Sequence, residues 1–153
     1  VEVRVPVSKA FTVQFWIWNG VINNNESIEN LVAVWDRVNL SFANFKKGSD
    51  PVLTLVPGRV SLQTVEPRTW HLVTAVIRPD RYELWLNAKR VLDEELTPHY
   101  VSDSKSRRFV FGGSADGTID FHGKLDEIAY FDRALKSEEI SSFHQLISKK
   151  SKD

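Results

Sequence analysis

Phe121-His122-Gly123-Lys124-Leu125-Asp126-Glu127-Ile128-Ala129-Tyr130-Phe131-Asp132-Arg133-Ala134-Leu135 is the stretch on which the reading of this chain turns. Gly112-Gly113 and Gly123 flank a run in which Leu125, Glu127, Ala129 and Phe131 fall on one face of an extended chain, and Asp126, Ile128 and Tyr130 on the other. Asp126 thus shares a face with apolar neighbours. It is expected to be partly buried and tied to Arg133, a backbone N–H group or a bound cation. After Leu135 the period changes. Ser137 reads as an N-cap, Glu138 and Glu139 sit where the helix dipole favours acid, and Ile140, Phe143, Leu146 and Ile147 form one apolar stripe. One C-terminal helix is predicted, docked through Ile140, Phe143 and Leu146. Lys149, Lys150 and Lys152 then read as its solvated basic end rather than as a nucleic-acid patch.

Upstream of this stretch the pattern is period-2 alternation rich in β-branched and aromatic residues. It predicts strands at Phe11 to Trp18, Leu31 to Trp35, Val38 to Ala43, Val52 to Val56, Arg59 to Val65, Trp70 to Ile77, Arg81 to Asn87 and Phe109 to Phe111. Turn signals separate them at Asn19-Gly20, Pro57-Gly58, Arg78-Pro79-Asp80 and Asn87-Ala88-Lys89. Many short strands with regular turns imply a sandwich or barrel.

The 153 residues suffice for one domain with a real core, without a metal or disulfide staple. Lys plus Arg and Asp plus Glu are both 20, so no strong field favours nucleic acid or an acidic membrane. Cysteine is absent, which removes thiolate metal sites and a cysteine nucleophile. No run approaches the roughly 20 apolar residues of a membrane span. The opening Val1-Glu2-Val3-Arg4-Val5-Pro6 alternates instead of forming the apolar block of a signal peptide. Methionine is also absent, and residues 1–153 are expected to be a single domain cut from a longer polypeptide.

Three segments, in order, resemble the laminin-G-like jelly-roll family of the concanavalin A-like lectin and glucanase superfamily. They are Phe11-Thr12-Val13-Gln14-Phe15-Trp16-Ile17-Trp18; Trp70-His71-Leu72-Val73-Thr74-Ala75-Val76 with Tyr82-Glu83-Leu84-Trp85-Leu86-Asn87; and Phe111-Gly112-Gly113 continuing through the closing stretch to Ser137-Glu138-Glu139-Ile140. The resemblance implies an all-β fold, a two-sheet antiparallel jelly-roll sandwich with one short C-terminal helix. It also implies that Trp70 and Trp85 are core positions. Two departures stand out. The family's opening strand is expected to be missing, and Asn87-Ala88 replaces the usual Asn-Gly, so a different turn type is expected there.

Catalytic signatures are missing. Glycan hydrolysis needs two carboxylates about 5 Å apart or somewhat farther. On the closing strand Asp126 is followed on its own face by Ile128 and Tyr130 instead. His71, His99, His122 and His144 are dispersed without metal-ligand spacing, and no Gly-x-Ser-x-Gly elbow occurs. The resemblance makes calcium the cofactor to test, with Asp116, Asp120 and Asp126 as hard oxygen ligands.

What remains is binding. Trp16 and Trp18 share one face of their strand, opposite Val13, Phe15 and Ile17, and Trp35 precedes a polar turn. Trp18 and Trp35, with Asn19 and Asp36 beside them, are the candidate ligand residues, since rings stack on sugar faces while Asn and Asp bond the hydroxyls. The expectation is a non-catalytic glycan-binding module of an extracellular or cell-surface protein. The alternative is a protein-recognition, adhesion or spacer module. A sugar site leaves at least one tryptophan exposed among polar neighbours, whereas a spacer buries them all.

Overall fold

The structure, a computed structural model, describes residues 1–20, 29–35, 38–43, 52–56, 59–95, 105–114, 116–118 and 121–150. Its strands are β1 (Glu2–Pro6), β2 (Phe11–Asn19), β3 (Glu29–Trp35), β4 (Val38–Ala43), β5 (Val52–Val56), β6 (Arg59–Thr64), β7 (Trp70–Ile77), β8 (Arg81–Leu86), β9 (Lys89–Glu95), β10 (Ser106–Phe111) and β11 (Gly123–Phe131), followed by helix α1 (Ser137–Lys150). They form two antiparallel sheets of order β1-β10-β3-β4-β5-β6 and β11-β2-β7-β8-β9. The all-β class, the jelly-roll set of two sheets and the single helix match the expectation.

The chain divides into two compact units. In the first, made of Val1–Val7, Trp18–Thr69 and Pro98–Lys124, the sheet is anchored by Val32, Ala33, Leu40, Leu53, Phe109 and Phe111, all buried. Its opening strand β1 pairs with β10, Glu2 opposite Val110 and Pro6 opposite Ser106. Strand β1 was not among those the sequence predicted. An alternating hexapeptide with charges at Glu2 and Arg4 carries too little apolar signal to be read as a strand from sequence alone, yet it suits a sheet edge.

The second unit comprises Ser8–Ile17, Trp70–Thr97 and Leu125–Asp153. Along β2, Phe11, Val13, Phe15 and Ile17 are fully buried on one face. On the other face Thr12 and Gln14 are buried too, each with a polar partner. The Thr12 hydroxyl donates to the Arg133 carbonyl at 2.9 Å and accepts the Leu135 N–H at 2.9 Å, while Gln14 Nε2 donates to Thr74 Oγ1 at 2.8 Å. This face receives the chain leading into α1. Val76, Leu135 and Ile140 form a buried cluster, against which Trp85, Ala88, Phe131, Ala134 and Phe143 pack. Leu146 was expected to dock but is 63% exposed, so the apolar contact of α1 ends a turn earlier.

The helix begins where the sequence predicts, but its cap is displaced by one residue. The Lys136 carbonyl accepts the Ile140 N–H at 3.1 Å, and the Lys136 N–H donates to Glu139 Oε2 at 2.9 Å. Lys136 therefore occupies the N-cap, with Glu139 three residues on reaching back as in a capping box. The same carboxylate takes two guanidinium N–H groups of Arg133, at 2.6 and 2.9 Å. That hydrogen bond from Arg133, followed by the one from the Lys136 backbone, holds Glu139 down to about 2.

The hairpin turn after β8 also departs from expectation. Asn87 and Ala88 have φ of 49° and 63°, both left-handed, and Leu86 pairs with Lys89. This is the type I′ pattern that Asn-Gly normally makes, adopted here with alanine in glycine's place. Asn87 compensates by gripping the start of β7: its Oδ1 accepts the Leu72 N–H and its own N–H donates to the Leu72 carbonyl, both at 2.9 Å.

Candidate functional site

Within the first unit, β2 ends on Trp18 and Asn19, and three backbone contacts build a corner there. The Arg68 N–H donates to the Asn19 carbonyl at 2.8 Å, and the Gly20 N–H donates to the His122 carbonyl at 2.9 Å. Two glycines permit the third, a close approach of the chain entering β11. A Cβ on Gly123 would lie 2.3 Å from the Trp18 carbonyl and 2.4 Å from the Phe121 ring, closer than any side chain tolerates. A Cβ on Gly20 would stand 3.0 Å from the His122 carbonyl and 3.1 Å from the Trp18 ring. Glycine is required because two chains touch. The result places Lys124 Nζ 5.1 Å from the centroid of the Trp18 ring, a cation–π geometry.

Trp18 is half-buried in this corner, while Arg68, His122 and Lys124 are exposed. Arg68 adopts φ of 58°, a left-handed conformation that costs a non-glycine residue roughly 1–2 kcal/mol. Such strain concentrates at ligand clamps. Asn19 is fully buried. An indole with a polar, cationic border can stack on an apolar ring face and offer N–H donors at its edge.

The remaining expected site residues are dispersed. Trp35 ends β3, its backbone opposite Phe109 and Val38; its side chain and Asp36 lie outside the described residues. Of the proposed metal ligands, Asp120 is also outside them. Asp116 is exposed, and its Oδ1 accepts hydrogen bonds from the Ser114 hydroxyl (2.6 Å), the Thr118 hydroxyl (2.7 Å) and the Thr118 N–H (3.1 Å). These bonds, the Ser114 one foremost, hold Asp116 at about 2. Asp126 is exposed, not partly buried as its alternation implied. Its Oδ1 accepts the Glu127 N–H at 2.8 Å, and Glu127 has φ of 49°, which interrupts the alternation before it can carry Asp126 inward. Arg133, the other expected partner of Asp126, is paired with Glu139. Among the described residues no three His, Cys, Asp or Glu side chains gather to hold a metal ion.

Two further tryptophans differ from each other. Trp85 is half-buried, donates its Nε1–H to Glu83 at 3.0 Å and has Arg90 over its ring at 5.9 Å. Trp70, expected in the core, is 42% exposed. It is the first residue of β7, at the strand's end, whereas His71 and Leu72 after it are buried. The approach of Lys124 to the Trp18 ring and of the Arg68 backbone to Asn19 was not foreseen. Lys124 stood inside the closing stretch, where the spacing from Gly123 was the available signal; the strain at Arg68 has no sequence signature.

Two antiparallel sheets of this order, a C-terminal helix and an aromatic corner at a strand end define a lectin-like jelly roll. The chain belongs to the laminin-G family described as the concanavalin A-like lectin/glucanases superfamily, whose model matches residues 2–141. No curated protein sequence matches it. Among solved structures it is similar to the native heptameric pentraxin of Limulus polyphemus, with 17% identity, a TM-score of 0.70, and coverage of 92% of this chain and 72% of that one. It is similar to domain 4 of an extracellular arabinanase from Geobacillus stearothermophilus, solved with arabinotriose, at 13% identity and TM-score 0.65, covering 92% and 71%. A sialidase of Trypanosoma rangeli contains a similar portion, at 15% identity and TM-score 0.62, but this chain covers only 22% of it against 88% of itself. At these identities the likeness is one of fold. Among the described residues no helix is long and apolar enough to cross a membrane.

Proposed function

We propose that this domain is a non-catalytic carbohydrate-binding module whose stacking residue is Trp18. The observation that carries this reading is the half-buried Trp18 ring with the exposed Lys124 over it, at a strand end held by backbone contacts to Arg68 and His122. Trp18 is half-buried, so its ring is partly open to solvent beside a polar neighbour. The family and the arabinotriose complex of a similar domain support the reading. The module is read as part of a longer extracellular or cell-surface protein, where neighbouring domains add avidity to a weak site. One stacked ring and a few hydrogen bonds give millimolar affinity, about −4 kcal/mol. Calcium belongs to this reading only if Asp120 joins Asp116 in holding it; excess calcium then raises the melting midpoint over that in chelator, and equal midpoints remove the ion.

Tryptophan fluorescence titrated with a panel of oligosaccharides tests the proposal. At least one sugar is expected to shift the emission at millimolar concentration, and Trp18→Ala to abolish that shift while Trp70→Ala retains it. If no sugar perturbs the wild-type emission at high millimolar concentration, the glycan reading falls and protein recognition takes its place.

A further inference from the structure

The Trp18 ring already has an occupant. The Lys124 ammonium stands 5.1 Å from its centroid, on the kind of face that a sugar stacks on. Acids are within sequence reach, since the chain carries 20 and Asp126 follows two residues on. Among the described residues the ammonium nevertheless meets the indole and no carboxylate, and Asp126 Oδ1 takes the Glu127 N–H at 2.8 Å instead. The backbone that delivers the lysine is fixed. Lys124 follows Gly123, whose lack of a side chain lets the chain lie against the Trp18 carbonyl, where a Cβ would stand 2.3 Å away. The side chain itself is exposed, and an exposed side chain changes rotamer in picoseconds to nanoseconds. A held backbone with a free stem makes a cover that can swing off the ring and return to it.

We propose that Lys124 is an autoinhibitory cap on Trp18, a side chain that holds the stacking face until a sugar displaces it. This rests on the glycan reading of Trp18 and concerns the regulation of that same site. An ammonium and the C–H face of a sugar both seek the negative face of an indole, so on one face they exclude each other. A sugar that stacks there gains the ring and gives up the cation–π contact, and the ammonium returns to water. The cap therefore weakens sugar binding by about 2–5-fold, the worth of an exposed cation–π contact. Between ligands it shields an indole that would otherwise adhere to other apolar surfaces.

The whole chain is titrated with three neutral sugars, arabinotriose, maltotriose and lactose, and binding is read by tryptophan fluorescence in wild type, Lys124→Ser and Lys124→Arg. Lys124→Ser removes charge and stem from an exposed position and is expected to bind at least one of the sugars about 2–5-fold tighter. Lys124→Arg, whose guanidinium also stacks on indole, is expected to bind no tighter than wild type. A second readout needs no sugar. Acrylamide, a neutral quencher, is expected to reach the part of the emission that Trp18→Phe removes more readily in Lys124→Ser than in wild type. Unchanged quenching, or a Lys124→Ser variant that binds sugar no tighter than wild type, overturns the cap and leaves the glycan module standing. Greater quenching with no sugar bound by any of the proteins overturns the glycan reading, and the inhibitory role of the cap with it.

Discussion

Trp16 and Trp18 lie two residues apart on the same face of β2, both half-buried, and what packs on each ring differs. Trp16 is stacked by the His144 ring of α1, centroids 6.2 Å apart and planes within 20°. It neighbours buried Gln14 and Thr12, whose partners are inside the second unit. Trp18, also half-buried, has the ammonium of exposed Lys124 5.1 Å from its ring centroid. A strand face is therefore covered according to what the chain sends across it. Where a helix arrives, an imidazole ring packs on the indole; where a loop held by glycines arrives, a lysine ammonium does.

The largest break in this comparison is Ile140→Ala. Ile140 is fully buried in the cluster with Val76 and Leu135, so its truncation is expected to cost about 2–5 kcal/mol in denaturant unfolding. Leu146→Ala on the exposed side of the helix is expected to stay within about 0.5 kcal/mol. Comparable losses for the two variants would show that α1 does not dock through Ile140. Sugar affinity at Trp18 is expected to be unchanged in both.

Acid sharpens the comparison more gently. Glu139 is held from the ordinary 4.5 of a glutamate down to about 2 by Arg133 and the Lys136 N–H. A carboxylate with a depressed folded pKa adds stability that is complete above about pH 4.5 and is lost as pH falls toward 2. Thermal midpoints of wild type and Glu139→Gln should therefore converge across that window. Asp116 titrates in the same range in both proteins and cancels in the difference. A gap between the two that persists at pH 2 would mean that the carboxylate's charge is not what caps the helix.

The smallest expected effect is a gain. Ala88→Gly relieves the left-handed backbone, worth up to about 1 kcal/mol, less the contact that the alanine methyl makes with the cluster. A raised denaturation midpoint with unchanged sugar binding is the expected result. A lowered midpoint would show that the methyl contact outweighs the strain.

Strands and helix were legible because burial imposes a period, and Phe11, Val13, Phe15 and Ile17 are fully buried as their alternation predicted. Strand β9 was illegible because Lys89-Arg90-Val91-Leu92-Asp93-Glu94-Glu95 buries its polarity in pairs: Asp93 meets Arg81 and Arg90 at 3.0 Å each. Trp70 was misread because a core motif says nothing about which side of the strand's first residue is covered. At the site, Trp18 and Asn19 were visible as an aromatic and an amide before a turn. Lys124 and Arg68 were not, since their arrival depends on contacts between segments about 50 and 100 residues distant from Trp18 in the sequence.

Strand β1 bears on how the protein behaves at high concentration. As the outermost strand of its sheet it presents a row of backbone groups to which a foreign strand could add. Such an intruder meets the Glu2 carboxylate and the Arg4 guanidinium, which are 3.6 Å apart, with Arg108 2.8 Å from Glu2 on the adjacent strand. At Pro6 it finds no N–H donor at all. The edge therefore resists templated stacking of one molecule on the next, and five residues at the rim of a sheet act as a guard against fibrous aggregation.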